Sequence, residues 1–155
     1  MGAADHEGEM TEGEYRAFAE FRHLLRRFLN FSETAARGAG TEPQQHQLLL
    51  ALKGLPLDQR PTIGVLAERL QLRHNSTVEL VQRSIESGLL QRRASKLDGR
   101  EVLLSITTRG ERLLRSLSVE HREEMRSAAP ALIRSLEALI ASGTSPTARA
   151  GKQEK

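Results

Sequence analysis

Apolar residues recur at spacings of three and four along the first half of the chain, and this pattern predicts amphipathic helices. The first helix is predicted from Glu12 to about Phe31, with one stripe that carries three phenylalanines: Phe18, Phe21 and Phe28. The second is predicted to begin at Thr41, where Thr41 and Gln44 have capping-box spacing, and to end at Gly54. These helices predict a mainly α-helical chain.

Two shorter helices follow, and only four residues separate them. Apolar residues share one face over residues 63–70, and a second helix is predicted from about Asn75 to Ser87. Ser76 and Glu79 have the spacing of a capping box for the second helix, and Gly88 follows its end. This order predicts a helix-turn-helix, although short helix pairs alone are common.

A β-hairpin is predicted directly after the two short helices. Residues 89–93 and 101–106 form two short runs, and the second is rich in strand-forming residues. Asp98-Gly99 lies between them in a polar segment, which is a strong hairpin signal. Helix, turn, helix and basic hairpin together predict a winged helix-turn-helix.

The C-terminal part returns to helical spacing. A long helix is predicted to open at a Thr108–Glu111 capping box and to be interrupted by Pro130. A last helix is predicted over residues 131–140. We expect residues 1–11, which are small and acidic, to be mobile, and residues 142–155 to be a disordered tail.

Composition narrows the chemistry. There is no cysteine, which excludes disulfides, thiolate zinc sites and thiol redox sensing. The five histidines form no metal-type pair, and there is no nucleophile–base arrangement, so no metal, cofactor or enzymatic activity is expected. No apolar run is long enough to span a membrane and no signal-peptide core is visible. We therefore expect a cytoplasmic protein without a membrane partner.

Charge is distributed unevenly, with an acidic N-terminal segment and a basic segment over residues 73–100. Since DNA is the anion that fits a helix-turn-helix with a basic hairpin, double-stranded DNA is the expected partner. In the second short helix the candidate DNA-binding residues are His74, Asn75, Ser76, Thr77, Gln82 and Arg83. In the hairpin they are Arg92, Arg93, Lys96, Asp98 and Arg100. Asn75 and Ser76 are also expected to cap the helix whether or not they contact DNA.

Several segments together resemble the MarR family of winged helix-turn-helix regulators. They are residues 62–70, 78–83, 86–92, 98–100 and the Thr-x-x-Gly motif at 107–110. The resemblance implies a homodimer that binds a palindromic operator. It assigns residues 12–40 and 108–141 to dimerisation helices and residues 41–107 to the DNA-binding lobe. It also implies that Arg100 enters the minor groove and that Asp98 pairs with its side chain.

Independently of the resemblance, the end helices have more apolar surface than a small lobe needs. The phenylalanine stripe and Leu132, Leu136 and Leu139 are candidates to pack across chains, the alternative being packing within one chain.

The resemblance also implies a small aromatic or lipophilic effector that tunes DNA affinity, and a repressor more often than an activator. Candidate pocket residues are His23, Arg26, Arg27 and His46, although an ordinary surface or interface role fits each of them better. The main alternative function is a winged-helix protein-interaction module without specific DNA binding. The basic hairpin argues against that alternative, because such a module need not keep it.

Overall fold

The computed structural model describes residues 10–142 of the chain. Its elements in chain order are α1 (Glu12–Gly38), α2 (Pro43–Lys53), α3 (Ile63–Leu70), α4 (His74–Glu86), β1 (Leu90–Ala94), β2 (Val102–Ile106) and α5 (Thr108–Ser142). The predicted mainly helical chain with a two-stranded hairpin is therefore confirmed. The expectations for residues 1–9 and 143–155 lie outside the described residues.

The chain divides into two compact units. One contains the described residues 10–29 and 124–142, and the other contains residues 30–123. All of α2, α3, α4 and the hairpin belong to the second unit, together with the adjoining parts of α1 and α5. Among the described residues, no helix has the length and apolar character needed to cross a membrane.

Leucine dominates the core of the second unit, as expected for a chain with few aromatic residues. Every element from α2 to α5 contributes to this core: Leu48, Leu49, Leu52, Leu66, Leu80, Val81, Leu89, Leu90, Leu104 and Leu114. The N–H of Leu104 also donates to the carbonyl oxygen of Pro61 at 2.9 Å, which attaches the entrance of α3 to the hairpin. Buried leucines of this kind stabilise a fold by about 2–5 kcal/mol each, measured as truncation to alanine.

The hairpin is antiparallel, with Leu90 opposite Ile106 and Ala94 opposite Val102. Residues 95–101 connect the strands, and the N–H of Ser95 donates to the carbonyl oxygen of Glu101 at 3.0 Å. Asp98-Gly99 thus lies within a seven-residue loop. The hairpin prediction is confirmed.

The predicted capping residues of α2 and α5 are each wrong by one position. At α2, the N–H of Glu42 donates to Oε1 of Gln45 at 3.2 Å, so Gln45 takes the place expected for Gln44. At α5, Oγ1 of Thr107 accepts from the N–H of Gly110 at 3.1 Å, so Thr107 rather than Thr108 is the cap. Sequence spacing identifies the turn but not which hydroxyl faces the free N–H groups.

The prediction that Asn75 and Ser76 cap α4 is wrong. The helix begins at His74, and Arg73 occupies the N-cap without a side-chain hydrogen bond. Ser76 lies at the third helical position, inside the first turn. Arg73 has an extended backbone at the N-cap, with φ −67° and ψ 148°. The end of α4 is as expected, with Gly88 in the left-handed region at φ +71°.

The predicted break at Pro130 is also wrong, since α5 runs without interruption from Thr108 to Ser142. A proline inside a helix removes one backbone hydrogen bond and costs about 3 kcal/mol. Its neighbours Ala128, Ala129 and Ala131 have the highest helix propensity of any residue type, which favours continuation of the helix on both sides. Helix α1 likewise continues to Gly38, beyond the predicted end at about Phe31.

Candidate nucleic-acid interface

The turn between α3 and α4 fixes the position of α4. Oγ1 of Thr62 caps α3 by accepting from the N–H of Val65 at 3.3 Å. The C-cap of α3 is Gln71, a non-glycine residue in the left-handed region at φ 54°. The N–H of Leu72 then donates back to the carbonyl oxygen of Ala67 at 2.9 Å. These contacts fix the short turn that connects α3 to the first residue of α4.

Helix α4 has a buried face and an exposed polar face. The buried residues are Thr77, Leu80, Val81 and Ser84. The exposed stripe on the opposite side is Asn75, Glu79, Gln82 and Glu86, at spacings of four, three and four residues. His74 and Ser76 are also exposed in the first turn. The outward surface of α4 is therefore polar along its whole length.

Thr77 is the one candidate of the first turn that the structure directs inward. Its side chain is fully buried, and its hydroxyl donates to the carbonyl oxygen of Arg73 at 3.1 Å. The expectation that Thr77 contacts DNA is therefore wrong, because α4 packs this position against the core. His74, Asn75 and Ser76 are exposed as that expectation requires, and their contact with DNA stays a prediction.

Gln82 and Arg83 both have partners within the protein. Oε1 of Gln82 accepts from Nη2 of Arg92 at 3.1 Å, and its Nε2 donates to Oε1 of Glu86 at 2.9 Å. Nε of Arg83 lies 3.3 Å from Oε2 of Glu42, at the start of α2. Gln82 thus joins α4 to the hairpin, while Arg83 joins α4 to α2.

The hairpin exposes Arg92, Arg93, Lys96 and Arg100, and within residues 10–142 none of these cations forms an ion pair with a carboxylate. Oδ1 of Asp98 accepts from the backbone N–H of Arg100 at 3.0 Å. The implied Asp98–Arg100 pair is therefore made through the main chain of Arg100 in this structure. Asp98 orders the loop and leaves the Arg100 guanidinium exposed.

Sequence reasoning missed the residues that hold the base of the hairpin loop. The buried Oγ of Ser95 accepts from the N–H groups of Leu97 and Asp98, at 3.1 and 3.2 Å. Arg60, which precedes α3, donates to the same oxygen and pairs with Glu101. No local pattern indicates this contact, because 35 residues separate Arg60 from Ser95.

The four candidate effector residues differ in their surroundings. His23, Arg26 and Arg27 are exposed on α1. His46 is only 1% exposed, and its ring centroid lies 4.7 Å from that of His121. In this conformation His46 is a packed core residue, so the expectation that it lines an open pocket is wrong.

His121 organises the surroundings of His46, and sequence spacing gives no sign of this pair. Nδ1 of His121 lies 2.6 Å from the carbonyl oxygen of Leu117 and therefore carries a proton. Its Nε2 lies 2.7 Å from Oγ of Ser32. Nδ1 of His46 is buried and has no hydrogen-bond partner among the described residues, and burial, with a smaller effect of His121, lowers the pKa of His46 to about 4. His46 is therefore neutral at pH 7.

The geometry defines a class of protein: a helix pair whose second helix presents a polar face, followed by a hairpin with four exposed cations, is a winged helix-turn-helix. The model of the MarR family matches residues 39–101. Residues 39–101, which contain most of the winged helix-turn-helix, are therefore similar to the MarR family, as the sequence resemblance predicts.

Solved structures share this fold. A probable transcriptional regulator from Pseudomonas aeruginosa is 25% identical to this chain and has a TM-score of 0.59. The matched region covers 79% of this chain and 92% of that regulator. The DNA complex of Staphylococcus aureus MepR (18% identity, 86% and 99% coverage, TM-score 0.58) shares the fold. S. aureus MarR in complex with salicylate and kanamycin also shares the fold (15% identity, 83% and 87% coverage, TM-score 0.65). Among proteins of curated function, none matches the sequence.

Proposed function

We propose that this protein binds double-stranded DNA sequence-specifically, with α4 in the major groove and the hairpin along the adjacent minor groove. One observation carries the proposal. The outward face of α4 is polar and exposed, and the hairpin beside it exposes four cations without carboxylate partners among the described residues. An interaction module has no need of this pairing of a polar helix face with unneutralised cations.

The dimensions and donors of this surface suit DNA. A helix is about 10–12 Å across and the major groove about 12 Å wide. No side chain of the described residues caps α4, so the N–H groups of its first turn are available to a phosphate. Arg92, Arg93, Lys96 and Arg100 supply the charge that phosphate contacts require.

Selection from a random duplex library tests this proposal. The full-length protein is incubated with the library, bound duplexes are recovered and sequenced, and the enriched sequence is then titrated alone. We expect a defined motif made of two related half-sites. Recovery of unrelated sequences after several rounds would reject sequence-specific binding and favour the interaction-module alternative.

Arg100→Ala is expected to weaken binding to specific and random duplexes by similar factors. If the guanidinium contacts the phosphate region of the minor groove, its removal lowers the slope of log affinity against log salt by about one. Fluorescence anisotropy at several salt concentrations measures the slope. Arg115→Ala, which removes an exposed arginine from α5, is the matched control and should leave the slope unchanged.

We further propose that the protein is a homodimer whose two lobes bind a palindromic operator. The support lies in the unit made of residues 10–29 and 124–142, which exposes large apolar side chains on its helices. Tyr15, Phe18, Ile133 and Leu136 are between 42% and 58% exposed. Phe21, Phe28, Leu132 and Leu139 of the predicted stripes are half-buried.

Ile133→Glu is expected to convert the dimer to a monomer, because it places a charge in the apolar surface that the second copy would cover. Light scattering after gel filtration should give twice the 17.2 kDa chain mass for wild type and a single chain mass for the variant. Leu57→Glu, at a fully exposed position, is the control and should remain dimeric. A wild-type mass of one chain would contradict the proposal.

DNA binding by such a dimer would repress transcription, and we propose that a small aromatic or lipophilic anion releases it. The structure of S. aureus MarR with salicylate suggests salicylate as a probe, and the exposed basic residues His23, Arg26 and Arg27 are candidate contacts. Salicylate is expected to weaken operator binding by wild type and less by Arg26→Ala. An unchanged operator affinity at millimolar salicylate would reject salicylate-like anions as the effector.

A further inference from the structure

We infer that Glu79 is a specificity-determining residue that accepts a hydrogen bond from the N4 amino group of a cytosine in the major groove. This inference rests on the proposed placement of α4 in that groove. Glu79 is not among the residues that charge or family resemblance selects as DNA contacts, because a carboxylate is repelled by phosphates. Its position on α4 nevertheless places it where bases are contacted.

Glu79 lies on the exposed stripe of α4, one turn after Asn75 and diametrically opposite the buried face. The later part of the stripe is already bonded: Gln82 is held by Arg92 on one side and by Glu86 on the other. Within residues 10–142 the carboxylate of Glu79 makes neither a hydrogen bond nor an ion pair. It is therefore the first ionised group of the stripe that is available to a base.

The chemistry of the major groove then limits what Glu79 accepts. An ionised carboxylate is an acceptor only, so it needs a donor. Guanine and thymine present acceptors, whereas cytosine presents the N4 amino group and adenine the N6 amino group. Adenine also presents the acceptor N7 next to N6, which repels the second carboxylate oxygen. Cytosine has a C–H group at the corresponding place and is the base that suits Glu79.

The same carboxylate weakens binding to every sequence that does not supply this donor. Close to phosphates its charge is repulsive, and a base edge that offers only acceptors leaves it desolvated without a partner. Glu79 therefore contributes to specificity in two ways: it forms a charge-assisted hydrogen bond with cytosine, and it penalises the alternatives. A neutral glutamine at this position would lose the charge assistance, and its amide group could also donate to acceptor edges, so it would no longer select cytosine.

Parallel selections with wild type, Glu79→Gln and Glu68→Gln test the inference. We expect wild type to enrich a cytosine at one position of each half-site and Glu79→Gln to lose that preference while retaining the rest of the motif. Glu68→Gln removes the same charge from an exposed position on α3 and should keep the cytosine. Thermal unfolding of the variants checks that folding is unchanged, as expected for exposed substitutions.

Affinities of two proteins for two duplexes, compared as in a double-mutant cycle, then isolate the contact between Glu79 and the cytosine amino group. In the selected duplex the cytosine is replaced by pyrimidin-2-one deoxynucleoside, which lacks only the N4 amino group. Wild type should lose about tenfold or more in affinity, and Glu79→Gln less than about threefold. Equal losses for both proteins, or an unchanged cytosine preference in Glu79→Gln, would overturn the inference while leaving the proposed function intact. A wild type that selects no motif would overturn the proposed function itself.

Discussion

Gly110→Ala should destabilise the protein by more than about 3 kcal/mol, because no other glycine of residues 10–142 would bring an added Cβ so close to a backbone atom. A Cβ at position 110 would lie 2.3 Å from the carbonyl oxygen of Leu89 and 2.7 Å from Cγ2 of Ile106. The first obstacle is backbone, so no side-chain rotation relieves it. The start of α5 would have to move away from the strand entrance.

The carbonyl oxygen of Leu89 is itself held in place. It accepts from the backbone N–H of Thr107 at 3.0 Å, and the hydroxyl of Thr107 lies 3.2 Å away. The same hydroxyl caps α5 at the N–H of Gly110. Displacement of α5 therefore disturbs the cap and the strand together. This arrangement gives the Thr-x-x-Gly motif a physical reason: threonine closes the turn, and glycine permits the close approach.

Urea denaturation followed by circular dichroism measures this effect. Gly64→Ala is the matched control, because Gly64 is also helical and its added Cβ would have no neighbour closer than 4.0 Å. The control should be stabilised by up to about 1 kcal/mol through helix propensity. A Gly110→Ala variant within about 1 kcal/mol of wild type would show that α5 does not approach Leu89 this closely.

The second large effect is a loss of stability in acid that depends on His46. Its pKa is about 4 in the folded protein and about 6.5 in the unfolded chain, so the unfolded state binds the proton first. The contribution of neutral His46 to the free energy of unfolding is complete above pH 6.5 and is lost as the pH falls from 6.5 to 4. The difference in pKa corresponds to a loss of about 3 kcal/mol over that range.

His46→Phe should remove this part of the acid sensitivity, since phenylalanine fills a similar volume and does not titrate. At pH 7 the variant should be as stable as wild type or slightly more stable, because the buried Nδ1 without a partner is gone. Free energies of unfolding at intervals between pH 8 and 4 measure both quantities. If the free energy of unfolding fell with pH in the same way for wild type and His46→Phe, the assigned burial of His46 would be contradicted.

Sequence alone predicted the parts of the fold that depend on local periodicity. Helix α3, the hairpin and the end of α4 at Gly88 follow from spacing and turn chemistry, because these signals lie within a few residues of one another. The predicted starts of the helices were less accurate, because a shift of one residue changes which hydroxyl group faces the free N–H groups. The predicted break at Pro130 is wrong because the flanking alanines favour the helix that proline disfavours.

The candidate site was predicted in outline, and the errors concern orientation and distant contacts. Thr77 belongs to the first turn of α4, but the helical phase places it on the buried face. His46 and His121 meet across 75 positions of the chain, and no local pattern brings distant residues together. In the sequence, Glu79 has the spacing of a capping partner of Ser76, and only the helical phase of α4 shows its place on the outward face.

If α4 and the hairpin bind DNA as proposed, they distinguish one DNA sequence from others. The most direct measurement is the ratio of dissociation constants of the full-length protein for its selected duplex and for a random duplex of equal length, at one fixed salt concentration. We expect the dissociation constant for the random duplex to be at least about 10³ times larger, which is the lower range for specific DNA-binding proteins. Equal affinities for the two duplexes would contradict it.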